Sequence, residues 1–244
     1  MRLGIMQPYF FPYAGYFDLI LKCDRWVVFD VVKFTRKTWM SRNVILEPNN
    51  GHQYVSVAVV RSTTGSLTET QVSEFDFAAT KVLRQLKIYE GRAPHYDAVR
   101  ELVERAFTRF DAQDCVLLRD LNVICLEETC RHLGIPFSPE ICSSLGLDFS
   151  AVDHAGAWAL EIADQLDADS YLNPPGGVGI FRPEDWRSRG IQLEFTGMPQ
   201  LTYDTGNLEF RPNASILDCM MWLTADEIRG HLGTRPIHRA EELA

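Results

Sequence analysis

The sequence predicts an α/β protein. It begins with the β-α-β unit of a Rossmann-like parallel sheet, and a β-hairpin and a helical middle segment follow. Three observations lead there. Residues 2–6 and 25–30 are apolar runs of strand length with a helical pattern between them, the arrangement of two parallel strands joined by a crossover. Residues 75–133 keep apolar positions at helical spacing. From residue 154 onward, helix and strand patterns alternate again. A chain of 244 residues suits one α/β domain over 1–244, with the helical segment at about 75–135 as an insert or cap.

The first strand, 2–6, is apolar and starts almost at the first residue. Pro8 and Pro12 then bar regular structure across 7–12. Residues 15–22 place Phe17, Ile20 and Leu21 on one side of a helix. The second strand, 25–30, ends in the carboxylate of Asp30. Residues 43–46 and 53–59 flank Pro48-Asn49-Asn50-Gly51, and Asn-Gly between apolar runs signals a hairpin. Helices are predicted over 77–89, 95–110 and 115–133. Leu118, Leu121, Cys125 and Leu133 lie on the apolar face of the third, and Gly134 is its natural C-cap. A helix over 154–166 and a strand over 170–172 precede the breaker Asn173-Pro174-Pro175-Gly176-Gly177. Pro183 starts a short helix over 183–189, Gly190 ends it, and 191–195 is a strand. Helices over 215–222 and 225–232 close the pattern.

Composition narrows the function. Hydrophobic residues are 46% of the chain and charged residues 23%, which is ordinary for a globular protein. The balance of 24 Lys+Arg against 33 Asp+Glu gives a net charge of −9, so long nucleic acids and anionic membranes are poor partners. No run of eighteen apolar residues appears, and the first apolar run is too short for an export signal, so a cytoplasmic protein is expected. The six cysteines (Cys23, Cys115, Cys125, Cys130, Cys142, Cys219) form no CxxC pair and read as reduced core residues, with no metal site.

Chemistry is carried by a few segments. Gln7-Pro8-Tyr9-Phe10-Phe11-Pro12-Tyr13-Ala14-Gly15-Tyr16 joins a strand end to a helix start, where open α/β sheets bind ligands. Its aromatics suit stacking on a planar ring, and packing of the sheet edge is the alternative. Lys33-Phe34-Thr35-Arg36-Lys37-Thr38-Trp39-Met40-Ser41-Arg42-Asn43 holds four cations and no acid. Arg36 and Arg42 suit phosphate or carboxylate because each guanidinium fork binds two oxygens, while a plain solvated loop is the alternative. The segment 87–96, with Tyr89 and His95, could extend the same site. Ser143-Ser144 could bind phosphate or merely cap a turn. The glycines at 176–177 let backbone approach a ligand closely. His95 and His154 are the candidate bases, and Cys142 is the candidate nucleophile for thioester chemistry. No Walker A, GxGxxG, GxSxG or HExxH pattern occurs, so the sequence leaves any cofactor unknown.

Taken in order, these segments resemble the WbqC-like family. The resemblance rests on 7–17, on Asp30 with 33–43, on Tyr89 with Ala93-Pro94-His95-Tyr96, and on Ser143-Ser144, Tyr171-Leu172 and Ser215-Ile216-Leu217-Asp218. That family accompanies genes for lipopolysaccharide O-antigen and other sugar or natural-product pathways. The resemblance implies a biosynthetic setting more than a reaction. The chain departs from the family at Lys33, commonly Gln, and at Ser41, commonly Asn. Phe77 and Lys81 stand where the family often has a Trp and a following His. A weaker similarity links Tyr13-Ala14-Gly15-Tyr16 to the HxGH loop of nucleotidyltransferases. Tyr cannot act there as an imidazolium against phosphate.

The expectation is a transferase that binds a small phosphorylated metabolite. The substrate is a nucleotide-sugar or an acyl or aminoacyl group on phosphopantetheine, with an acyl carrier protein as a further partner. The binding residues would be Gln7, Pro8, Tyr9, Tyr13, Tyr16, Asp30, Lys33, Arg36, Lys37, Trp39, Arg42, Asn43, Tyr89, Ser143 and Ser144. A divergent nucleotidyltransferase and a non-catalytic scaffold are the alternatives.

Overall fold

The computed structural model describes residues 1–49, 51–60, 64–113, 116–197 and 201–242. β1 (Arg2–Met6), α1 (Ala14–Lys22) and β2 (Arg25–Val28) form the predicted β-α-β unit. The two strands are parallel, with Leu3 opposite Arg25 and Met6 opposite Val28. β3 (Arg42–Glu47) and β4 (Gly51–Ser56) form the hairpin, and Arg42 pairs with Ser56. Asn50, in the predicted turn, lies outside the described residues. β5 (Ala58–Val60) and β6 (Gln71–Ser73) make a second antiparallel pair that the sequence pattern did not signal.

α2 (Phe75–Leu86), α3 (Tyr96–Ala112) and α4 (Leu118–Leu133) form the helical middle. Gly134 ends α4 at φ 66°, the left-handed conformation expected of a glycine cap. The predicted start of that helix at Cys115 lies outside the described residues. β7 (Pro139–Ile141), α5 (Ala157–Gln165), β8 (Ser170–Asn173), α6 (Pro183–Ser188), β9 (Gln192–Thr196), α7 (Ile216–Trp222), α8 (Ala225–His231) and β10 (Ile237–Arg239) complete the chain.

Six strands join in the order β10-β9-β8-β1-β2-β7. All neighbouring pairs are parallel except β9 with the edge strand β10. Strand periodicity divides the side chains between two cores. Leu3, Ile5, Val27 and Tyr171 join one core with α5 and Trp186, while Trp26, Val28 and Leu172 join the other with α1 and the helical middle. Gly4 permits this packing, since a Cβ there would meet the Trp26 ring at 2.5 Å. β1 is the pivot: the chain builds outward through β2 and β7 on one side of it, then returns to add β8 and β9 on the other. The carboxyl ends of β1 and β8 therefore flank a reversal of strand order, the place where open α/β sheets leave a crevice.

Candidate functional site in the cleft between β1 and β8

The loop after β1 is held from every side. The Asn122 amide donates to the carbonyls of Pro8 and Met40, both at 2.8 Å. The Asn43 amide donates to Phe10 and Phe11 carbonyls at 3.1 and 2.9 Å, and the Ser215 hydroxyl donates to Phe11 at 2.7 Å. The backbone N–H groups of Phe10 and Ile216 tie the loop to Trp39 and α7 through the carbonyls of Trp39 and Pro12. Phe10 and Phe11 are fully buried, and Phe11 takes φ 41° to turn inward. Tyr16 is also buried and donates its hydroxyl to the Gln7 carbonyl at 2.9 Å. Tyr9 and Tyr13 are the ring side chains of this loop that reach the cleft.

The cleft has two lobes that share Tyr9, Tyr13, Trp39, Pro174 and Gly176. The larger lobe, about 600 Å³, reaches the ends of β1 and β8 at Met6, Gln7, Tyr171 and Asn173. Phe29, Trp158, Ile180 and Phe181 also wall it. The smaller, about 290 Å³, adds Asn43, Pro175 and Asn213. Both lie within or near the size range of small-molecule sites. Trp158 is fixed between Phe29 and Phe149, with ring centroids at 5.7 and 4.9 Å. Gly177 lets the chain pass against Asn173, because a Cβ there would collide with its amide.

Among the described residues, no side chain lining either lobe is charged at neutral pH. Some polar groups in it are already satisfied. Asn43 is spent on the loop, and Asn173 accepts from the Tyr171 hydroxyl at 2.8 Å while donating to the Pro174 carbonyl. Among the described residues, the side chains of Gln7, Tyr9, Tyr13 and Asn213 line the cleft without a hydrogen-bond partner. Burial raises the hydroxyl pKa of Tyr9 and Tyr13, so both are neutral donors and acceptors.

The basic segment lies alongside. Trp39 is 46% exposed and lines both lobes. Lys33, Arg36 and Lys37 are exposed, and none has a carboxylate partner among the described residues. Arg42 is half-buried with its guanidinium 4.1 Å from the Tyr54 ring centre, and its Nε is buried without a partner.

The remaining sequence-selected residues lie elsewhere. Asp30 is fully buried and accepts from Ser143 through backbone N–H at 2.9 Å and hydroxyl at 2.6 Å. Arg119 pairs with it at 2.9 Å. Ser144 is exposed beside this cluster, and Pro8 is buried in the loop. Tyr89 is buried, donates to Asp218 at 2.5 Å and accepts from the Leu46 N–H at 3.0 Å. None of the three candidate catalytic groups lines the cleft. Cys142 is 1% exposed, and burial, with Asp30 nearby, pushes its thiol up to about 12, so a neutral-pH thiolate is disfavoured. His95 precedes α3, with its backbone N–H on the Met221 carbonyl. His154 precedes the lining residue Ala155. Its Nδ1 accepts the Gly156 N–H at 3.0 Å, which leaves the proton of a neutral ring on Nε2, facing Asp185 at 3.6 Å. Phe77 on α2 is exposed and Lys81 reaches the Ser56 hydroxyl, so neither borders the cleft.

Sequence reasoning did not select Phe29, Trp158, Phe181 or Asn213. Trp158 and Phe29 sit in runs that read as ordinary core, and only the strand reversal at β1 brings them to one crevice.

The fold and crevice define a mixed α/β protein with a small-molecule-sized cleft at the reversal of a mostly parallel sheet. Residues 7–230 match the WbqC-like protein family, and the chain belongs to it. It is similar to the uncharacterized protein Rv1507c of Mycobacterium tuberculosis, 26% identical over 232 residues that cover 92% of this chain and 95% of that protein. No solved structure matches. Among the described residues no helix is long and apolar enough to cross a membrane.

Proposed function

We propose that the protein is a biosynthetic transferase of a sugar or natural-product pathway. It binds a phosphate-bearing substrate, a nucleotide-sugar or a phosphopantetheine-linked acyl or aminoacyl group, and passes a group to an amine. The observation that carries this reading is the aromatic cleft beside Lys33, Arg36 and Lys37, exposed cations with no carboxylate partner among the described residues. Rings at Tyr9, Tyr13, Trp39 and Trp158 offer faces for stacking or for a thin chain. Arg36 and Lys37 offer charge-assisted hydrogen bonds to phosphate oxygens.

For a thioester donor the step balances without a further reactant. The acceptor nitrogen attacks the carbonyl carbon, the C–N bond forms and the C–S bond breaks. The proton lost by nitrogen ends on the departing sulfur, giving an amide and a thiol. The hydroxyls of Tyr9 and Tyr13 and the amide of Gln7 line this lobe and supply donors for the carbonyl oxygen as charge develops on it.

One observation favours a second reading, a non-catalytic binding protein: among the described residues no carboxylate, histidine or lysine lines the cleft. The two readings share the ligand and differ in turnover. A thermal-shift panel of nucleotides, nucleotide-sugars and acyl-phosphopantetheines tests the shared part. A true ligand at 100 times its Kd stabilises the protein by about 2.7 kcal/mol. Absence of a shift with every phosphorylated compound would refute both. Amide formation from a binding donor and an amine then separates transferase from scaffold.

A further inference from the structure

We infer that the ligand of the cleft is the phosphopantetheine arm of an acyl thioester, entering acyl end first, with its phosphate outside at Arg36 and Lys37. This rests on the proposed phosphate-bearing substrate and chooses between its two classes.

The choice follows from where charge is absent. The two lobes meet at Tyr9, Tyr13, Trp39, Pro174 and Gly176, and among the described residues this junction contains no cation. A nucleotide-sugar has its diphosphate in the middle, between base and sugar. With the two ends seated in the two lobes, that diphosphate would sit against Tyr9, Tyr13 and Trp39, whose rings displace part of its water and supply no counter-charge. Burying an unpaired anion is among the costliest acts in a protein interior. A ligand with its phosphate at one end avoids this conflict.

The phosphopantetheine arm is such a ligand. Its phosphate is terminal, and the rest is a thin neutral chain with a branched apolar carbon, two amides and the thioester. Each amide brings one N–H and one C=O. The partnerless neutral groups of the cleft, Gln7, Asn213 and the hydroxyls of Tyr9 and Tyr13, match them in kind. The larger lobe is walled by Phe29, Trp158, Ile180 and Phe181, which suits an apolar acyl group. The cations without carboxylate partners stand on the segment that carries Trp39, outside the lining of both lobes. The cleft thus supplies each kind of group the arm needs: neutral polar partners and an apolar wall inside, with cations on the adjoining segment.

The test is titration calorimetry of the full chain with butyryl-phosphopantetheine, butyryl-pantetheine lacking the phosphate, and UDP-glucose. Butyryl-phosphopantetheine should bind, and loss of its phosphate should weaken binding about tenfold or more. Arg36→Ala with Lys37→Ala should weaken the phosphorylated compound to that level and leave the dephosphorylated one unchanged. Trp39→Ala, at an exposed position, should weaken both. Butyryl-coenzyme A and a butyryl-loaded carrier protein distinguish the source of the arm, the tighter one naming it. Tighter binding of UDP-glucose than of the phosphopantetheine compound would overturn this inference and leave the phosphate-bearing substrate standing. Equal affinity with and without phosphate would overturn the outward placement of the phosphate. Binding of none of the compounds would overturn the broader reading as well.

Discussion

Tyr89 joins three distant parts of the chain through one hydroxyl. It donates to the buried Asp218 on α7 and accepts from the Leu46 N–H in β3. Tyr203 supplies the other carboxylate oxygen with a hydrogen bond at 2.5 Å, and burial still holds the Asp218 carboxyl above its ordinary pKa. Tyr89→Phe removes a donor from a buried carboxylate and leaves the Leu46 N–H unpaired. We expect a loss of about 1–3 kcal/mol in urea unfolding. Ligand affinity should be unchanged, since Tyr89 lies outside the cleft; a large affinity loss in the folded variant would place it in the site. Cys142 gives a second test at this scale. With its thiol near 12, native protein at pH 7.5 should resist iodoacetamide at this position, and urea-unfolded protein should not. Rapid native alkylation of the Cys142 peptide, read by mass spectrometry, would show a reactive thiol and reopen covalent catalysis.

At the scale of elements, the loop between β1 and α1 depends on side chains far away in sequence. Asn43→Ala deletes the donor to Phe10 and Phe11 carbonyls, and the Ser215 bond remains on only one of them. A cost of about 1–3 kcal/mol is expected, together with weaker ligand binding as Tyr9 and Tyr13 lose their fixed backbone. Unchanged affinity in that variant would separate the loop from the site. The β-α-β unit, the first hairpin and the three middle helices were legible because each is long enough to carry a period or is bounded by Pro, Gly or Asn-Gly. β5, β6, β7 and β10 were not, since three residues hold no period and their pairing is set by tertiary context. The site was half legible for a related reason. Tyr9, Tyr13, Gln7 and Trp39 stand out as aromatic and polar oddities at a strand end. Asp30, Tyr89, Tyr16 and Ser143 look alike in sequence, yet they are consumed by internal hydrogen bonds that only the folded chain reveals.

For the whole molecule, charge and pH set the behaviour. The net charge of −9 coexists with exposed Lys33, Arg36 and Lys37, which have no carboxylate partner among the described residues, so binding of a phosphorylated ligand should weaken with added salt as these cations are screened. Salt-independent affinity would remove them from the site. Burial, with smaller contributions from Arg105 and His95, lowers the pKa of His132 below its ordinary 6.5. The unfolded imidazole thus takes up a proton at higher pH than the folded one. This contribution is intact above about 6.5 and is lost as pH falls through that value and below. His132→Gln should flatten the decline in stability between about pH 7 and 5, measured by urea unfolding, and an unaltered slope would assign the decline to other groups.

The capture of the aromatic loop by Asn122, Asn43 and Ser215 also has a kinetic meaning. The carbonyls of Pro8, Phe10 and Phe11 are already partnered, so the ligand meets a loop that needs little ordering at the moment of encounter. Stopped-flow association should then follow a single exponential whose rate climbs linearly with ligand concentration. A rate that levels off would reveal a slow rearrangement and a cleft that assembles around its guest.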